Sequence, residues 1–131
     1  MKYLLDTNIC IYFLKGKFGL VETFDAIGFE NLYISEITIA ELKFGAAKSD
    51  RPDENKIIIN ELANKFKQIP IYNSLDIFAD EKARLKREGN IVDDFDLLIG
   101  SSAIANEMIL VTNNEKHFKR LKNIQIENWT K

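Results

Sequence analysis

The stretch Lys2-Tyr3-Leu4-Leu5-Asp6-Thr7-Asn8-Ile9-Cys10-Ile11-Tyr12-Phe13-Leu14 decides the fold. Residues 2–5 form a short apolar run bounded by a polar break, the pattern of a buried strand. After Asp6-Thr7-Asn8 the chain turns apolar again over Ile9 to Leu14. That reads as a helix from Thr7 to Leu14, ended by Gly16, with Thr7 or Asn8 suited to cap it. Asp6 therefore stands at the carboxyl end of a central strand. In open α/β sheets that is the end where ligands bind.

Working outward, the same alternation continues. Phe18 to Ile27 reads as a second helix, with Phe18, Val21, Phe24 and Ala26 inward. Asn31 to Ile34 is a strand, and Ser35 caps a helix to about Lys48 with an apolar stripe of Ile37, Ala40, Phe44 and Ala47. Pro52 suits a first helical turn, and a helix over Asp53 to Lys67 buries Ile58, Leu62 and Phe66. Gln68 to Tyr72 holds a short strand with a proline in it, so it sits at a sheet edge or is poorly formed. Ser74 caps a helix ending at Gly89, and Asn90 to Asp94 is a loop. Asp93 or Asp94 caps a helix from Phe95 to Asn106. Met108 to Val111 is a buried strand, Lys116 to Leu121 a short helix, and Asn123 to Glu127 a last strand. Strands alternating with helices predict a mainly parallel sheet covered on both faces, a three-layer α/β/α fold in one domain over 1–131.

The chain has 131 residues, 46% of them hydrophobic, enough for one compact core. Eighteen basic against 20 acidic side chains give a net charge of −2, which argues against a non-specific polyanion binder. One cysteine, Cys10, excludes an intrachain disulfide, and one histidine, His117, excludes a multi-histidine metal site. Without a secretory pattern or a bilayer-length apolar run, the expected location is the cytoplasm.

Three acids stand out: Asp6 at the first strand, Glu41 beside the apolar stripe of the third helix, and Asp96 in the first turn of the helix before the fourth strand. On that helix Asp96, Ile99, Gly100 and Ala103 share a face, and the small residues let it approach the sheet. The helix start favours the ionised carboxylate. Carboxylates from separate elements converge only if their repulsion is compensated, and a hard divalent cation does this. Such a site activates water for attack on a phosphate.

Leu4-Leu5-Asp6-Thr7-Asn8, the segment from Ser35 through Glu41-Leu42, Asp94-Phe95-Asp96-Leu97-Leu98-Ile99 and Val111-Thr112-Asn113-Asn114 together resemble the PIN domain. More narrowly they resemble the VapC-type toxin ribonucleases of bacterial toxin–antitoxin pairs. The resemblance implies a sheet of order 3-2-1-4-5 and an endoribonuclease dependent on Mg²⁺ or Mn²⁺. It implies products with a 5′-phosphate and a 3′-hydroxyl, with transfer RNA among the family's targets. Asp6, Glu41 and Asp96 match the family's metal-binding acids. Asn8, Thr112 and Asn114 match supporting positions; Asn114, followed by Glu115, stands where many members carry a fourth acid. Asp94 is a candidate outer contact to the metal. The resemblance further implies a homodimer, for which Ile11, Tyr12 and Leu14 offer an apolar face, and a cognate antitoxin lying across the active-site groove.

Two basic runs, Lys82 to Arg87 and Lys116 to Lys122, are candidate RNA contacts. The residues singled out are Lys43, Arg84, Arg87, Lys116 and Lys119, with Phe118 and Leu121 facing inward and His117 at the surface. Two rivals compete. An aspartyl-nucleophile phosphatase wants a second acid where Asn8 stands. A non-catalytic interaction protein on the same fold is favoured by Asn114.

Overall fold

A computed structural model describes residues 1–131. The strands are β1 (Tyr3–Leu5), β2 (Leu32–Ser35), β3 (Lys67–Ile69), β4 (Ile109–Val111) and β5 (Ile126–Glu127). The helices are α1 (Thr7–Leu14), α2 (Leu20–Ile27), α3 (Glu36–Ala47), α4 (Pro52–Lys65), α5 (Leu75–Glu88), α6 (Asp94–Ala105) and α7 (Glu115–Phe118). All strand pairs are parallel, in the order β3-β2-β1-β4-β5. The expected architecture and order are both found.

The pleat of the central strands sorts the core into two layers. Leu5, Leu32, Ile34 and Val111 face α1 to α4, where they meet Ile9, Phe24, Leu42, Leu62 and Phe66. Leu4 and Leu110 face the other way, onto Ile99 and Ala103 of α6 and Phe118 of α7. A smaller cluster of Leu85, Val92, Leu97 and Leu121 joins α5 to α6. Gly100 seats α6: a Cβ there would lie 2.6 Å from Leu121 Cδ2 and 3.2 Å from Phe118 Cδ1. At Gly100 the close approach is to α7 and the turn that follows it, while Ile99 and Ala103 on the same face meet the sheet as the sequence suggested.

Several local expectations are corrected. The second helix starts at Leu20, because Phe18 and Gly19 both take left-handed backbone (φ 60° and 63°) and cannot continue a right-handed helix. Phe18, Val21 and Ala26 are exposed, and the inward residues of α2 are Leu20, Phe24 and, in part, Ile27. On α3 the buried stripe is Thr38, Leu42 and Ala46; Ala40, Phe44 and Ala47 point outward. The buried face therefore includes a polar threonine, which an apolar periodicity does not register. On α4 the buried residue is Ile59 rather than Ile58. Pro70 lies just beyond edge strand β3, whose N–H groups are thereby spared. Ser74 stands at the N-cap position of α5 as expected but makes no side-chain cap bond; its hydroxyl donates to Ile71 O.

Candidate active site

Asp6 follows β1 directly, and its backbone N–H continues the ladder by donating to Val111 O at 2.9 Å. The parallel register of Leu5 with Val111 sets Asp6 beside Thr112. Asp6 is itself the N-cap of α1, correcting the expected Thr7 or Asn8: its Oδ1 accepts from Thr7 N–H at 2.8 Å. Its Oδ2 accepts from the Thr112 hydroxyl at 2.8 Å. Thr112 in turn accepts the Asn114 N–H at 2.9 Å, which orients its single proton toward Asp6. Thr112 is fully buried and Asp6 nearly so.

Glu41 projects from α3, half-buried, and its Oε1 accepts from the Thr7 hydroxyl at 2.7 Å. Thr7 also lies 3.2 Å from the hydroxyl of Thr38, one turn before Glu41. In the sequence Thr7 stands out only as a cap, and Thr38 does not stand out at all. A threonine three residues before the acid at helical spacing was the available signal.

Asp96 is the third residue of α6, behind the Asp93 cap, whose side chain accepts from Phe95 N–H at 3.1 Å. Burial pushes its pKa up to about 6, reinforced by the charges of Asp6, Asp93 and Glu41. Burial likewise raises Asp6, outweighing the hydrogen bonds from Thr112 and Thr7, and the Glu41 charge adds to the rise. The three acids thus feel one another across β1, α3 and α6. None is paired with a lysine or arginine. Their oxygens do not close into a compact three-acid cage. A hard cation that keeps several waters does not need one, since one or two direct carboxylates suffice. Negative charge gathered without a cationic partner, in a partly dehydrated mouth, fits a divalent ion.

The supporting positions separate. Thr112 is central, as described. Asn114 acts through its backbone N–H, while its side-chain Nδ2 lies 2.9 Å from Nδ1 of the exposed His117. Glu115 is turned to the C-terminal segment, accepting from Asn128 Nδ2 at 3.2 Å and pairing with Lys131 at 3.3 Å, and both partners lower its pKa. It does not stand in for a fourth acid. Asn8 is exposed and lies outside this hydrogen-bonded set.

Asp94 pairs with Lys82 at 2.9 Å. Among the basic residues, Arg84 is a correction. It forms a two-pronged pair with the buried Glu81 at 2.7 and 3.0 Å, donates to Arg120 O at 2.7 Å, and reaches Glu88. Glu81 also accepts the Lys122 N–H, and the Arg84 guanidinium holds its carboxyl below the ordinary value. Arg84 is a structural clasp between α5 and the segment after α7. Lys43, Arg87, Lys116 and Lys119 are exposed. Beside the acids, Ile11, Leu14, Leu42, Ala46 and Ile58 line a groove of about 520 Å³ between α1, α3 and α4, with Glu41 on its wall.

The PIN domain pattern matches residues 3–124. The chain is 36% identical to ribonuclease VapC2 of Rickettsia felis over the full length of both. It is 31% identical to the tRNA(fMet)-specific endonuclease VapC of Shigella flexneri, covering 99% of each. In structure it is similar to the VapBC2 complex of Rickettsia felis bound to a promoter DNA fragment, with a TM-score of 0.90 at 34% identity, covering 98% of this chain and 99% of that one.

Proposed function

The chain belongs to the PIN-domain family, in its VapC branch, and from that premise we propose that it is a metal-dependent endoribonuclease, the toxin of a VapBC-type toxin–antitoxin pair. The observation that carries the reading is the set of Asp6, Glu41 and Asp96, mutually repelling, unneutralised by any basic side chain, and gathered at the carboxyl end of the parallel sheet. Asp6, Asp96 and Glu41 would hold Mg²⁺ or Mn²⁺. The ion, when bound, supplies a water of lowered pKa and charge stabilisation at the phosphate being cut.

The chain's own residues do the rest. Thr112 and the α1 cap keep both oxygens of Asp6 in fixed directions. Asp96, raised by burial and by the charges of its neighbours with no hydrogen bond to offset them, gains most from a cation, which would hold it ionised. Lys43, Arg87, Lys116 and Lys119 would contact backbone phosphates, which positions RNA without selecting its sequence. Transfer RNA is the proposed substrate class, following the Shigella flexneri relative. The groove of α1, α3 and α4 offers a cognate antitoxin an apolar track leading to Glu41, and a homodimer is the proposed assembly.

The test is purified protein on total RNA with Mg²⁺ or EDTA, followed by end mapping. Internal cuts that depend on the metal and leave 5′-phosphates are expected. RNA left intact under all metal conditions would remove the nuclease reading. It would leave the interaction-protein alternative that Asn114 supports. No helix of the chain is long and apolar enough to cross a membrane.

A further inference from the structure

Thr7 touches both acids of the α1 side at once. Its backbone N–H holds Asp6 Oδ1 at 2.8 Å, and its hydroxyl lies 2.7 Å from Glu41 Oε1. A threonine hydroxyl has one proton and two lone pairs. The nearer and charged acceptor, Glu41, takes the proton. The Thr38 hydroxyl at 3.2 Å can then donate into the Thr7 oxygen. Thr38 is fully buried, so its hydroxyl is fixed by packing. The β-branched Thr7 side chain, rooted in the first turn of α1, has few rotamers of its own.

Glu41 by contrast is a long side chain in the middle of α3, half-buried and without an ion-pair partner. Left alone it would sample several rotamers into the groove. The arrangement repeats the one at Asp6, where Thr112 gives its proton to the acid and accepts a backbone N–H behind it.

We propose that Thr7 is a positioning residue that sets the Glu41 carboxylate relative to Asp6 for cation binding, with Thr38 orienting its hydroxyl. This rests on the metal-nuclease reading above. Thr7 Oγ1 occupies one oxygen of Glu41 and leaves Oε2 for the ion or its water. Partners of this kind behind a metal-binding carboxylate are worth roughly 10–100-fold in metal affinity.

The test uses the full chain and Mn²⁺ alone, read as calorimetric affinity and as the rise in melting temperature that Mn²⁺ produces. Thr7→Val removes the donor at nearly constant volume, and roughly tenfold or greater loss of Mn²⁺ affinity is expected, with a smaller Mn²⁺-induced rise. Thr7→Ser restores the donor and should recover most of the loss. A residue that merely stabilises the fold would lower the melting temperature equally with and without Mn²⁺. An unchanged Mn²⁺-induced rise in Thr7→Val therefore overturns the proposal alone. Wild-type protein that takes up no Mn²⁺ overturns this proposal together with the metal reading. Should Thr7→Val not fold, Thr38→Val decides the matter: a weaker Mn²⁺ response with Thr7 intact supports the relay, and an unchanged one refutes it.

Discussion

Asp6 and Glu41 each present a carboxylate with one oxygen held by a threonine hydroxyl, at 2.8 and 2.7 Å, whereas Asp96 on the facing helix has no such partner. The first two arise from β1–α1 and α3, where strand register and helix packing bring hydroxyls to them. Asp96 depends on the start of α6 alone. The difference separates direction from proton affinity. Hydrogen bonds to the ionised form work against the rise that burial causes at Asp6; at Asp96 nothing opposes burial and the neighbouring charges, and its pKa climbs to about 6.

The largest effects should come from removing the charges. Asp6→Asn and Asp96→Asn are both expected to drop RNA cleavage below detection in a gel assay, while the metal-free melting temperature stays level or rises. Asn can keep the cap bond to Thr7 N–H, and each change relieves repulsion. If Asp96→Asn cuts RNA normally, the free acid is dispensable and the contrast loses its functional meaning.

Next comes Thr112→Val. It strands the Asn114 N–H and one oxygen of Asp6, so a stability loss of about 1–3 kcal/mol is expected in denaturant titration. A neutral result would mean that water replaces the hydroxyl and that the clamp at Asp6 is loose.

A third effect is pH dependence of the metal-free protein. The folded-state pKa of Asp96 is raised from 3.8 to about 6, and that of Asp6 is raised too. The folded state then binds the extra proton, so this contribution is complete below the unfolded value and is lost as pH climbs through about 6. Glu81 and Glu115 are lowered, and their contribution disappears only on acidification below the ordinary 4.5. The melting temperature should therefore fall between about pH 5 and about pH 7, and Asp96→Asn should flatten the fall. An unchanged slope in that variant would assign the effect elsewhere.

The smallest effect concerns the rim. Lys116→Ala with Lys119→Ala should raise KM a few-fold and reduce its salt dependence while kcat holds. Arg84→Ala, by contrast, should unfold the protein more readily, because it leaves the buried Glu81 without its partner. The two variants together separate phosphate contacts from the clasp.

The fold was legible where apolar runs are strictly local. Leu4-Leu5 and Ile109 to Val111 have the composition of buried strands, and Asp6 and Asp96 sit where chain grammar places them, after a strand and in a first helical turn. Periodicity failed on α2 and α3. The left-handed pair Phe18-Gly19 delays α2, and Thr38 replaces an apolar residue on the buried stripe of α3. A charge run at Lys82 to Arg87 gave no hint that Arg84 turns inward to Glu81.

Sequence alone determined the alternating elements and the parallel sheet and singled out the three acids, because strand and helix preferences and their terminators are written residue by residue. Tertiary structure alone decided that Thr7 holds Glu41, and which oxygen of Asp6 the expected supporting hydroxyl of Thr112 takes. Thr7 with Glu41 and Thr112 with Asp6 are separated by 34 and 106 residues. Such pairs exist only once β1 lies beside β4 and α3 packs against α1. Hydrogen bonds act over about 3 Å of space and carry no trace of separation along the chain.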